Sequence, residues 1–232
     1  MSTTMPVEPL NPAVLAARHN EDILVGDELV RHSRVSRLLH WAVAISFFVG
    51  LFTGLPIWTP LFGWMAYLFG GLEVCRWLHP WAGVAFALFS VWMFFYWLGD
   101  MRMLPGETRE WFGPKLWTYM KYEDEPDAGK YNGGQKLFFY AVSLGMLGLL
   151  LTGLVMWFPL LFPRWLRGLS IVLHDFTFIC FMVGIVMHIY LGTTAEPGTF
   201  RSMTQGTVTK PWARLHHPGW LRTVTENKDR RA

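Results

Sequence analysis

The sequence predicts an all-α membrane protein built as a bundle of four transmembrane helices, and three observations carry that prediction. The chain of 232 residues is 52% hydrophobic and 16% aromatic, with only 16% charged residues, and its mean hydropathy is +0.27. That is too apolar for an ordinary soluble domain. Four stretches, about 38–58, 79–99, 136–158 and 171–192, are nearly free of charge, and each is long enough to cross a hydrocarbon core about 30 Å thick. They are apolar nearly all round, whereas a soluble bundle would show polar stripes at helical spacing. Finally, Lys and Arg are distributed unevenly between the loops. Segments 1–38, 100–136 and 193–232 hold 4, 6 and 7 of them, 17 of the chain's 20, and the opposite loops 59–78 and 159–170 hold only Arg76, Arg164 and Arg167. The positive-inside rule then makes both termini cytoplasmic. The net charge of +3 reflects this topology and calls for no nucleic-acid partner.

Taken in order, residues 1–37 form a cytoplasmic segment with Asp, Glu, Pro and Arg ahead of any apolar run. No signal peptide is expected, and span one should stay uncleaved. Span one, RLLHWAVAISFFVGLFTGL, opens with His40 and carries Gly50 and Gly54 as a GxxxG pair. Span two, RWLHPWAGVAFALFSVWMFF, opens with His79. Pro80 disfavours a helical residue before it but is tolerated in a first turn, which predicts His79 at or near the helix start. Loop 100–135 contains a candidate interfacial helix at about 110–121 and ends in GKYNGGQK, residues 129–136. Span three follows. Span four, SIVLHDFTFICFMVGIVMHIYLG, contains His174 and His188, and residues 193–232 form a cytoplasmic tail. Trp41, Trp58, Trp97, Trp157 and Trp165 fall at span ends, as interfacial belts do. Cys75 and Cys180 stand alone, with no CxxCH for covalent haem and no paired-Cys motif, so packing is their expected role.

The histidines carry the function. His174 and His188 are 14 residues apart, which is about four turns and about 21 Å along one helix face. The alternating direction of the spans places His40 at the depth of His188 near the inner surface, and His79 at the depth of His174 near the outer one. Two imidazoles at each depth suit six-coordinate haem iron, a centre that passes electrons and leaves no open site for oxygen. Zinc would want four ligands, and no thiols or carboxylates cluster there to complete the set. A lone intramembrane histidine also serves as a helix–helix hydrogen bonder or a proton relay; four that pair by depth point to two stacked b haems. Gly50, Gly54, Gly83, Gly145, Gly148, Gly153 and Gly184 fit either close helix packing or room beside a macrocycle. Asp175 fits either a hydrogen bond near the outer haem or the headgroup region. His19, His32, His216 and His217 lie in polar segments and are expected to face solvent or a partner.

GKYNGGQK has two readings. It is a polar turn entering a membrane helix, or it is a quinone-carbonyl site close to His188. In the second, Asn132 and Gln135 offer amides, Gly133 and Gly134 let the backbone approach closely, and Phe138 and Phe139 provide apolar contact.

With RLLHW, RWLHP, GKYNGGQK, the His174–His188 spacing and the tail GTVTKPWARLHHPGW, the chain resembles the cytochrome b membrane (gamma) subunits of respiratory formate dehydrogenases over about residues 34–222. The N-terminal extension, about residues 1–30, lies outside the resemblance. The resemblance implies two b haems, the outer ligated by His79 and His174 and the inner by His40 and His188. It also implies a quinone, menaquinone or ubiquinone, at Asn132, Gly134 and His188. It further implies an iron-sulfur subunit, a molybdenum- or tungsten-containing catalytic subunit and a bacterial inner-membrane location, and it is compatible with a higher oligomer of the complex. In such complexes the chain takes electrons from formate inward to quinone. Two other readings share the histidine pattern: the cytochrome b anchor of a nickel-iron hydrogenase, and a transporter whose histidines relay protons.

Overall fold

A computed structural model describes residues 20–103 and 127–229. His19 and the candidate interfacial helix at 110–121 lie outside the described residues. Four long helices form the body: α1 (Arg34–Trp58), α2 (Leu72–Trp97), α3 (Gly133–Trp157) and α4 (Arg164–Tyr190). All four are long and apolar enough to cross a membrane, and the chain is a multi-pass membrane protein. Four of their hydroxyls are satisfied within their own helix. Ser46, Thr53, Ser143 and Thr152 donate to carbonyls one turn back, at 2.6–2.8 Å, as apolar surroundings require.

The helices start earlier than the apolar runs. Ser33 caps α1, its hydroxyl accepting from the Ser36 amide. Asn132 and Gln135 form a reciprocal capping box at α3, which satisfies two amides that a helix start otherwise leaves bare. Helix α2 begins at Leu72, so Pro80 is inside it and His79 sits about two turns in rather than at its start. The lost amide bond is tolerated there. Helix α4 begins at Arg164, so Arg164 and Arg167 belong to its first turns and the connection from α3 is only a few residues. Between α1 and α2 runs a 3-10 helix, Pro60–Phe69, closed by Gly70 at φ +90°.

Residues 20–33 and 195–229, on either side of the bundle in sequence, fold against each other. Strands β1 (Ile23–Val25) and β2 (Glu28–Val30) form a hairpin turning at Gly26. β3 (Thr207–Thr209) pairs antiparallel with β2. A π turn at Leu191–Ala195 and helix α5 (Thr199–Thr204) lead from α4 into β3, and helices α6 (Lys210–His216) and α7 (Pro218–Asp229) follow it. Leu24, Leu29, Val208, Trp212, Ala213, Trp220 and Val224 make a small core of their own. The all-α body thus carries a three-stranded cap at the end of the bundle that holds both terminal segments.

Several sequence expectations change. His32 and His217 are not solvent-facing, at 2% and 1% exposure, because the cap closes over them. His216 pairs with Glu196 at 3.1 Å. Trp97 is not a lipid-facing belt residue. It is buried, and its indole donates to Ser36 at 2.8 Å. Of the two cysteines, Cys75 is buried as expected but Cys180 is exposed on the bundle surface.

Candidate haem and quinone sites

The backbone of α4 packs mainly against α3 and faces α1 and α2 across an interval that side chains fill. Across that interval two pairs of imidazoles meet. At the cap end, His40 of α1 and His188 of α4 have ring centroids 6.1 Å apart. At the far end, His79 of α2 and His174 of α4 are 6.3 Å apart. A metal–imidazole bond is about 2 Å, so the two rings of each pair stand close enough that they would be able to hold one metal between them.

The far-end pair also has its tautomers set. Nδ1 of His79 donates to the Gly50 carbonyl at 3.0 Å. Thr152 spends its one proton on the Gly148 carbonyl at 2.6 Å, so its oxygen accepts from Nδ1 of His174 at 2.8 Å. Both rings therefore carry a proton on Nδ1 and a lone pair on Nε2, the arrangement of a metal-binding histidine with an oriented ring. Gly54 makes room for His79, since a Cβ there would lie 2.8 Å from its Cε1. At Gly153 the same atom would lie 3.6 Å from His174 Cε1. Gly54 therefore accommodates the His79 imidazole, whereas the contact at Gly153 is an ordinary van der Waals one.

At the cap end, His188 lies flat on Phe138, centroids 4.9 Å apart and planes 7° from parallel. His40 meets Trp41 edge-on, and its buried Nδ1 has no partner among the described residues. Asp175 is partly exposed on the far-end half of α4. Arg76, of the same end, pairs with Glu73 at 2.6 Å.

The turn at 129–136 is occupied with its own structure. Gln135 N–H donates to Asn132 Oδ1 at 2.9 Å, and Asn132 N–H donates to Gln135 Oε1 at 3.1 Å. Gly134 is exposed and Gly133 buried. Phe138 links the turn to His188. Phe139 points elsewhere, stacking on Phe94 in the core at 5.3 Å, so it does not share the locus expected of it.

Beside this turn lies a cluster that the sequence reading missed. Arg31 donates to the Lys130 carbonyl at 2.7 Å and approaches Gln135 Oε1 at 3.5 Å. Its guanidinium lies 4.8, 5.4 and 5.8 Å from the ring centroids of Trp212, Tyr131 and Trp220, a cation–π cage. Burial lowers its pKa to about 10, which leaves it charged at neutral pH. His217 donates from Nδ1 to the Gly129 carbonyl at 2.7 Å, so its Nε2 is the acceptor 3.2 Å from Arg31. Burial, reinforced by the Arg31 charge, pushes its pKa down to about 2. Lys130 pairs with Glu21, Asp22 and Asp100 at 2.6–3.3 Å. Burial opposes its charge, but these carboxylates outweigh it and hold the ammonium above the usual lysine range. No periodicity marks these residues, because segments about 100 and 185 residues apart bring them together.

A bundle of membrane helices holding facing imidazole pairs describes the class of membrane cytochromes b. The chain belongs to the prokaryotic cytochrome b561 family, which it matches over residues 31–206. Among its relatives is the formate dehydrogenase cytochrome b556(fdo) subunit of Escherichia coli K12, 31% identical over 210 residues, covering 89% of this chain and 98% of that protein. The formate dehydrogenase cytochrome b556 subunit of Haemophilus influenzae is 33% identical over 205 residues, 86% and 85% of the two chains. The nitrate-inducible cytochrome b556(Fdn) subunit of E. coli K12 is 29% identical over 201 residues, 84% and 91%.

Membership in this family implies b-type haem. The residues present fit it. Among the described residues no group of three or more His, Cys, Asp or Glu could hold a metal ion alone; two imidazoles suffice only where a macrocycle supplies the remaining ligands. The Nδ1 of His40 is a buried polar atom with no partner among the described residues.

Proposed function

We propose that this chain is the dihaem cytochrome b subunit of a membrane-bound formate dehydrogenase, carrying electrons from an iron-sulfur subunit across the membrane to quinone. The observation that carries the reading is the pair of imidazole separations, 6.1 and 6.3 Å, each short enough that the two rings would hold one haem iron. The names of the relatives favour formate over hydrogen as the electron donor. In this reading the cap end is cytoplasmic, as the placement of basic residues indicates, and the membrane is the bacterial inner membrane. His40 and His188 hold the inner haem, and His79 and His174 the outer one. When bound, such haems supply reversible one-electron chemistry at iron.

The protein's own part is orientation and exclusion. Gly50 and Thr152 fix the outer imidazoles, Phe138 fixes His188, and apolar side chains keep water from the interval between helices. The iron-sulfur partner, itself joined to a molybdenum or tungsten subunit, docks at the far end, where Arg76, Arg164 and Arg167 lie. The quinone binds at the α3 start, with Asn132, Gly134, Gln135 and the ring nitrogen of His188 that does not hold iron as its polar contacts. The oxygens of Asn132 and Gln135 serve the capping box, and an amide NH₂ is what each side chain can offer a quinone carbonyl.

A reduced-minus-oxidised spectrum of the purified complex tests the reading. Formate should reduce two non-covalent b haems per chain, all extractable in acid acetone. Reduction by hydrogen and not by formate, or a haem content near one, would overturn it.

A further inference from the structure

Phe47 of α1, Phe86 of α2 and Phe181 of α4 form one closed aromatic cluster. Their centroids are 5.7 Å apart for Phe47–Phe86 and for Phe47–Phe181, and 5.9 Å for Phe86–Phe181. All three are buried. Their positions match those of the histidines. Phe47 follows His40 by seven residues, Phe86 follows His79 by seven, and Phe181 is seven from both His174 and His188. Seven residues make nearly two turns and about 10 Å of rise, so each ring shares its helix face with an imidazole of the candidate sites. The cluster is therefore level with the midpoint between the two imidazole pairs, in the interval they span. The remaining helix of the bundle, α3, yields to it. A Cβ at Gly145 of α3 would lie 2.4 Å from Phe181 Cε2, so only glycine leaves room for that ring.

We propose that Phe47, Phe86 and Phe181 are the packed medium through which electrons cross between the two haem sites, with Phe181, seated in the Gly145 notch, as its central element. This rests on the dihaem reading above. In the step, one electron leaves iron held by His79 and His174, which goes from ferrous to ferric, and reaches iron held by His40 and His188, which goes from ferric to ferrous. No bond forms or breaks, no proton moves, and the rings are neither oxidised nor reduced. Electronic coupling falls more steeply across a void than through atoms in contact, and an unfilled interval has no partner atoms on one side. Phenylalanine suits the task because it fills volume without a polar atom that would draw water between the sites. Three rings from three helices also tie the helices that hold the imidazoles, so the triad positions both sites relative to each other.

The test uses the whole detergent-purified complex, quinone-free, with haem counted by pyridine haemochromogen. A count near one in the unaltered complex defeats the dihaem reading itself. With two haems present, a flavin photoreductant delivers electrons in a laser flash, and the two spectral components, assigned with His79→Ala and His40→Ala, are followed in time. Phe181→Ala should keep both haems and their midpoint potentials yet slow equilibration between the components about ten-fold, as a void replaces packed atoms. Phe181→Leu, which refills most of the volume, should recover most of the rate. Equilibration as fast in Phe181→Ala as in the unaltered complex, with both haems retained, would overturn the proposal. If Phe181→Ala sheds a haem, Phe47→Ala and Phe86→Ala, each made alone, give the same decision: slowing supports the triad and an unchanged rate in both overturns it.

Discussion

Phe138 lies flat against His188, ring centroids 4.9 Å apart and planes within 7° of parallel. The contact joins the second turn of α3, just past the GKYNGGQK motif, to the imidazole at the cap end of α4. A Cβ at Gly184, one turn before His188, would lie 3.4 Å from the same phenyl ring, so small and flat surfaces meet here by design of the sequence. An aromatic pair of this kind contributes about 0.5–1.5 kcal/mol beyond its buried area. Phe138→Ala should release the orientation of His188 and shift the absorption and midpoint potential of the inner haem alone. A redox titration resolving both components checks this. An equal shift of the outer component would mean that Phe138 acts on the whole bundle.

The outer site makes a steric prediction. Gly54→Ala would place a methyl 2.8 Å from His79 Cε1, and the neighbouring Gly50 carbonyl that holds Nδ1 leaves the ring little freedom to retreat. The variant should lose the outer haem and keep the inner one. Gly63→Ala, at a position where an added Cβ meets nothing within 4 Å, should leave both in place. Haem content and difference spectra of the two variants decide it.

Thr152→Val keeps the shape of the side chain and removes the oxygen that accepts from His174 Nδ1. Loss of such an outer partner typically weakens metal affinity about 10–100-fold. Outer haem should therefore dissociate faster into apomyoglobin added as a haem scavenger, with the inner haem unaffected. Identical transfer rates for variant and unaltered protein would remove Thr152 from the site.

Asn132 has two roles to separate. Asn132→Ala removes the cap of α3, at a cost of about 0.5–2 kcal/mol, along with any contact to quinone. Asn132→Ser keeps a capping oxygen and removes only the amide NH₂. If that NH₂ meets a quinone carbonyl, Asn132→Ser should leave both haems reducible by formate and slow their reoxidation by added quinone. One lost hydrogen bond is worth about 0.5–1.5 kcal/mol, a slowing of a few-fold to about ten-fold. Normal reoxidation in the Ser variant, with slow reoxidation in the Ala variant, would assign Asn132 to the helix start alone.

The cap should weaken in mild acid. His217 is neutral in the folded cap, with its pKa pushed down to about 2 by burial and by Arg31, whereas an unfolded histidine titrates near about 6.5. Between those values the unfolded segment binds the proton that the folded one refuses, so stability rises with pH and is lost as pH falls from about 6.5. Burial lowers His32 in the same direction. Amide exchange in β3 and α6 should accelerate from pH 7 to pH 5, once corrected for intrinsic rates. His217→Gln should flatten part of that dependence. A pH-independent protection pattern would contradict the buried neutral state.

The sequence by itself determined the four spans, the two histidine pairs and the end of the bundle that collects the basic residues. These follow from local quantities: apolar length against membrane thickness, helical pitch, and the alternation of direction from one span to the next. Even so, it misjudged where α2 begins. Pro80 reads locally as a helix start, but packing against α1 sustains the helix from Leu72. Only the tertiary structure decided how each imidazole is oriented, because Gly50 and Thr152 reach His79 and His174 from other helices. Only it closed the cap. Arg31, Tyr131 and His217 are polar or aromatic residues in segments that look like solvated tails, and no periodic signal marks a site whose members come from distant parts of the chain. Their burial becomes favourable only once Trp212 and Trp220 surround the guanidinium and each polar group finds its partner, a cooperative condition that no single stretch of the chain can express.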